Sequence, residues 1–179
     1  MLPGARIAEA LSGAWRPDQR TPITAPNDLI RFAPIITSTG AGPLVWGRIR
    51  RLSTFPNSDE ATVLRETYRT SQLFAAMQAE AIERVAGILE TAGIVPLIFK
   101  GWAVAQFYAA PTLRPVGDID LCAPPGRYAE MATLLASHAQ RIPGSTFEIG
   151  ERTTGFTLDF DLPGHLTVVD LHRNLDRPP

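Results

Sequence analysis

Two carboxylates separated by one apolar residue are the feature of this sequence with the clearest chemical potential. Asp118 and Asp120 flank Ile119. In a β-strand, residues i and i+2 point to the same face, so both carboxylates would project together. Carboxylates held this close repel each other unless a proton or a cation lies between them. Hard oxygen ligands at this spacing suit Mg²⁺, which takes its remaining ligands from water and substrate phosphates.

The residues around this pair decide how it is interpreted. An Asp-x-Asp pattern alone is common on the solvated edge of a strand. Here Ile119, Leu121 and Cys122 predict a strand that is largely buried. An acidic pair in such a strand is costly unless it binds something. We therefore predict that Asp118 and Asp120 bind a metal ion.

A third acid, Asp170, lies in another apolar strand, predicted over 166–172. If the two strands are neighbours, three carboxylates converge, which supports two-metal, in-line transfer of a phosphoryl or nucleotidyl group. Asp159 and Asp161 form a further i, i+2 pair in the preceding strand and are rivals for the role of third acid. His172 shares a face with Asp170, where it could orient a carboxylate, contact a phosphate or be purely structural.

The basic residues point to a phosphate site. Sixteen of the 17 are Arg, and Lys100 is the sole Lys. Lys100 precedes Gly101 at a predicted strand-to-helix turn, where a glycine lets a phosphate approach the backbone and the helix start offers free N–H groups. Arg114, in the loop before the acidic pair, can bind a phosphate through two N–H groups at once. Each cation alone could be an ordinary surface residue, but both lie in segments that flank the predicted metal site.

The composition limits the classes of protein to consider. The formal net charge of −1 over 179 residues disfavours sequence-independent nucleic-acid binding but allows a local phosphate site. The single cysteine, Cys122, excludes an internal disulfide framework and fits a reducing compartment. No apolar run reaches the roughly 18 residues that span a bilayer, and the start of the chain lacks a signal-peptide pattern. The sequence therefore predicts a cytoplasmic protein without a membrane partner.

The spacing of apolar residues predicts the elements that position these side chains. Helices are predicted over 5–13, 27–36, 42–52, 59–92, 102–109 and 124–139, and strands over 94–99, 118–122, 147–149, 155–162 and 166–172. The last two strands would form a hairpin through Pro163-Gly164. This order predicts an α+β fold with a small mixed β-sheet flanked by helices. We divide the chain into an N-terminal helical segment, 1–58, and a core, 59–179.

The sequence resembles the uncharacterised nucleotidyltransferase family of the DNA polymerase β superfamily. The resemblance extends from about Pro43 to Leu175 and rests on a spaced set of residues: Phe99-Lys100-Gly101, Tyr108, Pro111, the run from Arg114 to Leu121, and Val169-Asp170-Leu171-His172. It implies the nucleotidyltransferase fold for the predicted sheet and helices. Lys100 and Gly101 stand where the wider superfamily has a Gly-Ser phosphate turn, so the serine hydroxyl is replaced by an ammonium group.

The resemblance also implies roles for the residues singled out above. Asp118 and Asp120 would be the metal-binding pair and Asp170 the third acid, together holding two Mg²⁺ ions, with His172 as a possible neighbour of the ligands. The nucleotide would be bound by residues on either side of the pair: Lys100, Gly101, Arg114 and Gly117. The chain ends seven residues after His172, so we expect a compact or partial version of the fold.

The expected activity is the Mg²⁺-dependent transfer of a nucleoside monophosphate from NTP, such as ATP, to a hydroxyl acceptor. Two alternatives stay open at this point. The acceptor could be a protein hydroxyl that receives AMP, as in antitoxin-like relatives, or the chain could be a non-catalytic nucleotide-binding module with the same fold. The sequence identifies neither the acceptor, a small molecule or a protein, nor the oligomeric state.

Overall fold

The computed structural model describes residues 3–16, 29–51, 57–139, 146–148, 153–160 and 166–175. Its helices are α1 (Pro3–Leu11), α2 (Ala33–Ser38), α3 (Gly42–Ile49), α4 (Asp59–Thr91), α5 (Gly101–Ala105) and α6 (Tyr128–Ala139), with a 3₁₀ turn at Pro111–Leu113. Its strands are β1 (Leu97–Phe99), β2 (Asp118–Cys122), β3 (Thr146–Glu148), β4 (Thr153–Leu158) and β5 (Thr167–His172).

The five strands form one mixed sheet in the order β1-β2-β5-β4-β3. Strand β2 pairs antiparallel with β1 and parallel with β5, and β5 pairs antiparallel with β4. The predicted α+β class, with a small mixed sheet and helices against it, is confirmed. The two strands that carry the predicted acids, β2 and β5, are direct neighbours near one edge of the sheet.

One face of the sheet is apolar and packs against helices. Its buried residues are Ile119, Leu121, Phe156, Leu158, Val169 and Leu171. They pack with the second half of α4, through Ala81, Val85 and Leu89, and with α6, through Met131 and Leu135. Because side chains alternate along a strand, the opposite face carries the intervening residues, among them the predicted acids. Because the apolar face must be buried, the acids are held on the opposite face of the sheet.

Helix α4 begins and ends with recognisable capping structures. Ser58 accepts a hydrogen bond from the backbone N–H of Ala61 at 3.2 Å and so caps the start of the helix. At the other end Gly93 adopts a φ of +64°. The N–H groups of Gly93 and Ile94 donate to the carbonyls of Glu90 and Leu89, the pattern of a Schellman motif. The chain therefore leaves the helix in a fixed direction toward β1.

The chain divides into two compact units, which helix α4 links. The first consists of Met1–Ala75 and Ala105–Pro115, and the second of Ala76–Val104 and Val116–Pro179. The first unit has its own apolar cluster, formed by Leu29, Ile30, Ala33, Ile36, Val45, Ile49, Ala61 and Leu64. The second unit contains the whole sheet. The predicted division at residue 58 stays a prediction.

Several predicted boundaries are corrected by the structure. The helix predicted over 102–109 ends at Ala105, and the N–H of Ala109 donates to the carbonyl of Trp15 instead of continuing a helix. The helix predicted from residue 124 begins at Tyr128, because Gly126 takes a positive φ of 78° and ends a turn there. The tip of the hairpin at Pro163-Gly164 lies outside the described residues.

The remaining boundaries shift by a few residues. The strands predicted over 94–99 and 155–162 are formed by Leu97–Phe99 and Thr153–Leu158, and the helix predicted over 27–36 is represented by α2, Ala33–Ser38. Among the described residues, no helix combines the length and the apolar character needed to cross a membrane.

Candidate active site

The register between β2 and β5 brings two of the predicted acids side by side. Asp120 pairs directly with Asp170, and Asp118 pairs with Val168. Paired residues share a face of the sheet, so all three carboxylates lie on the face opposite the apolar core. The rival Asp159 is exposed and directly follows Leu158, the last residue of β4. On β4 the residue opposite Asp170 is Gly155, so Asp159 lies away from the three acids along the strand. Asp161 lies outside the described residues.

Asp120 is the most deeply buried of the three acids, with only 5% of its surface exposed. Its Oδ1 accepts a hydrogen bond from Lys100 Nζ at 2.8 Å and lies 3.1 Å from His172 Nε2. A buried carboxylate is stable only when it is paired, and here the lysine ammonium provides the pairing charge. Lys100 itself keeps 54% of its side chain exposed, so its charge lies at the boundary between the site and the solvent.

Asp170 carries an unsatisfied oxygen. Its Oδ1 is buried and has no hydrogen-bond partner in the described structure. Burial raises the pKa of the Asp170 carboxyl, and the negative charges of Asp118 and Asp120 raise it further, while His172 and Lys100 oppose the shift. A buried acceptor without a donor, next to two like charges, is the environment that a bound cation stabilises.

His172 is held by contacts on three sides. Its Nδ1 lies 3.0 Å from Thr153 Oγ1, its Nε2 faces Asp120, and its ring meets the edge of the Phe99 ring at a centroid distance of 4.9 Å. Thr153 pairs with His172 across the β4–β5 register. The imidazole therefore has a fixed orientation toward the acids. Sequence reasoning missed Thr153, because only the strand register shows that it is a neighbour of His172.

The turn at Lys100 and Gly101 lies at the end of β1, next to the acids. Phe99 pairs with Asp120, and Lys100 takes a φ of +53°, the only positive value among the described non-glycine residues. Gly101 begins α5, which has five residues rather than the predicted eight. A helix this short has a weak dipole. The charge that this turn places next to the acids is therefore mainly that of the lysine side chain.

The other two residues predicted to bind the nucleotide lie on the segment that leads into β2. Gly117 is exposed and directly precedes Asp118, and a Cβ placed on it would meet nothing within 4 Å. Arg114 follows the 3₁₀ turn in an extended conformation and is grouped with the first compact unit. The described structure does not require a glycine at position 117, and its role in nucleotide binding stays a prediction. The role of Arg114 stays a prediction.

A buried glutamine anchors the start of β2. Gln78, 2% exposed, donates from Nε2 to the backbone carbonyl of Asp118 at 2.8 Å. Because this bond ties α4 to the first residue of the Asp-x-Asp strand, it fixes where the acids begin along the sheet. Sequence reasoning missed Gln78 as well. The available signal was a polar residue on the buried stripe of α4, three and four positions before Ala81 and Ile82.

Three side chains have the geometry of a metal site. One ligand atom from each of Asp120, Asp170 and His172 lies within 4.8 Å of the other two. Two carboxylate oxygens and an imidazole nitrogen are ordinary ligands for a divalent ion, and the unpartnered oxygen of Asp170 supports the fit. Asp118 lies on the same face but is not a member of this group. It lies on β2, two residues before the partner of Asp170, and its charge raises the pKa of Asp170.

A mixed sheet that presents Asp-x-Asp on one strand and a third Asp on its parallel neighbour defines a protein of the nucleotidyltransferase class. The model of one family of that class, the uncharacterised nucleotidyltransferases, matches residues 26–179. The chain belongs to this family, as the resemblance in the sequence predicted. No curated protein matches the chain significantly.

Proposed function

We propose that the protein transfers a nucleoside monophosphate from NTP to a hydroxyl acceptor in a Mg²⁺-dependent reaction. One observation carries the proposal: the register that pairs Asp120 with Asp170 places three acids on one face of the sheet, with one buried carboxylate oxygen lacking a partner. Membership of a nucleotidyltransferase family supports the same reaction class.

The acids have two tasks in this proposal. Asp118, Asp120 and Asp170 would hold Mg²⁺, two ions in our prediction, which when bound neutralises negative charge on the phosphates. Asp170 would also accept the proton of the acceptor hydroxyl. Its pairing with Asp120 on the neighbouring strand would place this base beside the bound metal and the attacking hydroxyl. The hydroxyl oxygen then forms a bond to the α-phosphorus, and the bond to pyrophosphate breaks.

The cationic groups would bind the triphosphate. Lys100 is more than half exposed, so its flexible side chain can exchange Asp120 for a phosphate oxygen without rearranging the core. The backbone at Gly101 and Gly117 would let the phosphates approach closely, since neither residue has a side chain. Arg114 would add a guanidinium with two parallel N–H donors.

Replacement of the acidic pair tests the proposal. We expect Asp118→Ala and Asp120→Ala each to abolish Mg²⁺-dependent ATP binding in calorimetry, because the metal that bridges protein and phosphate is lost. Asp159→Ala is the matched control, since Asp159 is exposed and lies beyond the end of β4. Unchanged binding in the Asp118 and Asp120 variants would sink the assignment. Pyrophosphate release from ATP with a hydroxyl acceptor would separate an enzyme from a non-catalytic binding module.

A further inference from the structure

We infer that His172 is a direct metal ligand through Nε2, and that it makes the site prefer first-row transition ions such as Mn²⁺ to Mg²⁺. The inference rests on the proposed function only in so far as both place a divalent ion on this face of the sheet. It adds a ligand outside the three-acid set and a chemical preference that carboxylates alone would not give.

The first argument is the position of the imidazole nitrogen. Nε2 lies 3.1 Å from Asp120 Oδ1 and belongs, with Asp170, to the group of ligand atoms within 4.8 Å of one another. Asp120, Asp170 and His172 come from two adjacent parallel strands, so the sheet holds them rigidly. Asp118, the other acid of the Asp-x-Asp pair, is outside this group. The tightest set of ligand atoms therefore includes a nitrogen.

The second argument is the position of Lys100. Its ammonium lies 2.8 Å from Asp120 Oδ1 and 3.4 Å from His172 Nε2. A proton on Nε2 would be donated to Asp120 Oδ1, which lies closer to Nε2, at 3.1 Å, than the ammonium does, and a bound metal ion would take the place of that proton. If Nε2 presents its lone pair, one cation is shared by a carboxylate oxygen and an imidazole nitrogen. The lysine ammonium thus contacts the two atoms that a metal ion would contact.

The third argument is the support for the other side of the ring. A metal-bound histidine commonly donates its second ring N–H to an acceptor, which fixes its tautomer and its orientation. Nδ1 of His172 lies 3.0 Å from Thr153 Oγ1, a hydroxyl that can accept this proton. The edge contact with Phe99 restricts ring rotation. In the tautomer that carries the proton on Nδ1, the imidazole presents the lone pair of Nε2 toward the acids.

The preference between metals follows from the ligand set. Mg²⁺ is a hard ion that binds oxygen ligands and keeps much of its water, whereas imidazole suits first-row transition ions. Replacing one oxygen ligand by a nitrogen therefore costs Mg²⁺ more than it costs Mn²⁺. The same site can still use Mg²⁺ when a nucleotide supplies additional oxygen ligands, so the inference and the proposed function are compatible.

The test compares metal binding and the spectrum of bound Mn²⁺ in the full chain. Electron spin echo experiments on the Mn²⁺ protein should show ¹⁴N modulation from a directly bound imidazole. His172→Gln should remove the modulation and weaken Mn²⁺ binding by at least the roughly 10–100-fold that loss of a supporting group of a metal site costs, while Mg²⁺ binding changes much less. Thr153→Val should weaken Mn²⁺ binding while retaining the modulation, because the ligand remains and only its orientation is lost.

His138→Gln is the matched control, because His138 is exposed at the end of α6. Circular dichroism and urea unfolding establish that each variant is folded, and Thr153→Val keeps the test valid if His172→Gln fails to fold. Mn²⁺ bound without ¹⁴N modulation, or equal losses of Mn²⁺ and Mg²⁺ affinity in His172→Gln, would overturn the inference. If the protein bound no Mn²⁺ yet released pyrophosphate with Mg²⁺ and ATP, the inference would fail and the proposed function would stand.

Discussion

Lys100 is the residue for which the structure departs most from the interaction predicted from the sequence. The sequence predicts that its ammonium binds a phosphate. In the structure the ammonium bonds to Asp120 at 2.8 Å, the carboxylate that we propose as a metal ligand. If the proposed function holds, a phosphate and Asp120 would compete for one lysine, and a metal and the lysine would compete for one carboxylate. Residue 100 would then couple nucleotide binding to metal binding, and such coupling is reciprocal.

This coupling predicts opposite effects of one substitution. Lys100→Ala should weaken ATP binding, because a phosphate loses its cation. In the absence of nucleotide it should tighten Mn²⁺ binding by roughly thirtyfold, since removing a unit charge about 4 Å from a divalent ion relieves about 2 kcal/mol of repulsion even in a water-like dielectric. Lys100→Arg should restore ATP binding only in part, because a planar fork replaces a compact charge. Calorimetry with each ligand alone measures both effects.

The control for these measurements is Arg69→Ala, which removes an exposed cation that pairs with Glu66 on the surface of α4. It should alter neither affinity. Normal ATP binding by Lys100→Ala would mean that the only lysine of the chain is a compositional accident. Weaker Mn²⁺ binding by the same variant would mean that the lysine supports the metal site instead of competing with the metal.

The backbone of Lys100 gives a second prediction at the residue scale. A left-handed φ costs a residue with a Cβ about 1–2 kcal/mol relative to glycine, and Lys100 pays this cost at φ +53°. Lys100→Gly should therefore unfold in urea with a free energy about 1 kcal/mol higher than Lys100→Ala, while both variants lose ATP binding equally. Equal stability of the two variants would show that the turn relaxes when the side chain is removed.

Residue identity could be predicted where the signal was local. Asp118 and Asp120 stand out because the alternation of a strand is visible within five residues. Thr153 and Gln78 could not be found in the same way. Thr153 becomes a neighbour of His172 only through the β4–β5 register, and Gln78 reaches Asp118 across 40 positions of sequence. Contacts between distant segments depend on how the sheet and α4 pack, which no local pattern encodes.

At the scale of elements, helix α4 offers the sharpest test, because it contains one glycine in its interior and one just past its end. Gly93 has a φ of +64° and Gly87 has no positive φ, and a Cβ on either would meet nothing within 4 Å. Steric contact is thus the same for both, and only the backbone conformation differs. Gly93→Ala should lower the free energy of unfolding by about 1 kcal/mol, and Gly87→Ala should raise it by about 0.5–1 kcal/mol.

Urea unfolding of the two variants beside the parent chain measures this pair of effects. Stabilisation of both would mean that the chain can leave α4 without the Schellman motif. The motif matters for the site because Ile94, which follows Gly93, packs into the core under the sheet and starts the path toward β1 and Lys100. The C-terminal end of α4 at Gly93 therefore helps to place Lys100 beside the acids, although it is distant from them in the sequence.

Elements with a strong period were predictable, and short ones were not. The apolar stripe of α4 and the alternation in β2 and β5 repeat over enough residues to identify them. The segment 102–109 also has good helix formers, yet only Gly101–Ala105 is helical. There the hydrogen bond from Ala109 to the carbonyl of Trp15 competes with the helix. Tertiary contacts override a propensity that extends over only two turns.

At the scale of the whole molecule, the order of elements was predictable but the order of strands was not. The site exists because β2 and β5, separated by α6, β3 and β4, lie side by side and parallel. A hairpin signal can pair strands that follow one another, but a parallel pair requires an intervening crossover. From residue patterns alone, Asp120 and Asp170 converge only if their strands are neighbours. The resemblance to a nucleotidyltransferase family implied that they do.

The predicted boundary at residue 58 can be tested on the whole chain. Residues Ala61 and Leu64, on the far side of that boundary, are buried in the apolar cluster with Ile36, Val45 and Ile49. A chain of residues 59–179 would expose this part of α4, and complete burial of a single Leu side chain contributes about 1.5–3 kcal/mol. We therefore expect the shortened chain to unfold at a lower urea concentration than the full chain, or to self-associate in sedimentation.

Leu64→Ala in the full chain is the graded control and should lower the free energy of unfolding by about 2–5 kcal/mol. If residues 59–179 stayed monomeric and unfolded at the same urea concentration as the full chain, residue 58 would mark a true domain boundary and the cluster around Leu64 would contribute little to the stability of the sheet that carries the acids.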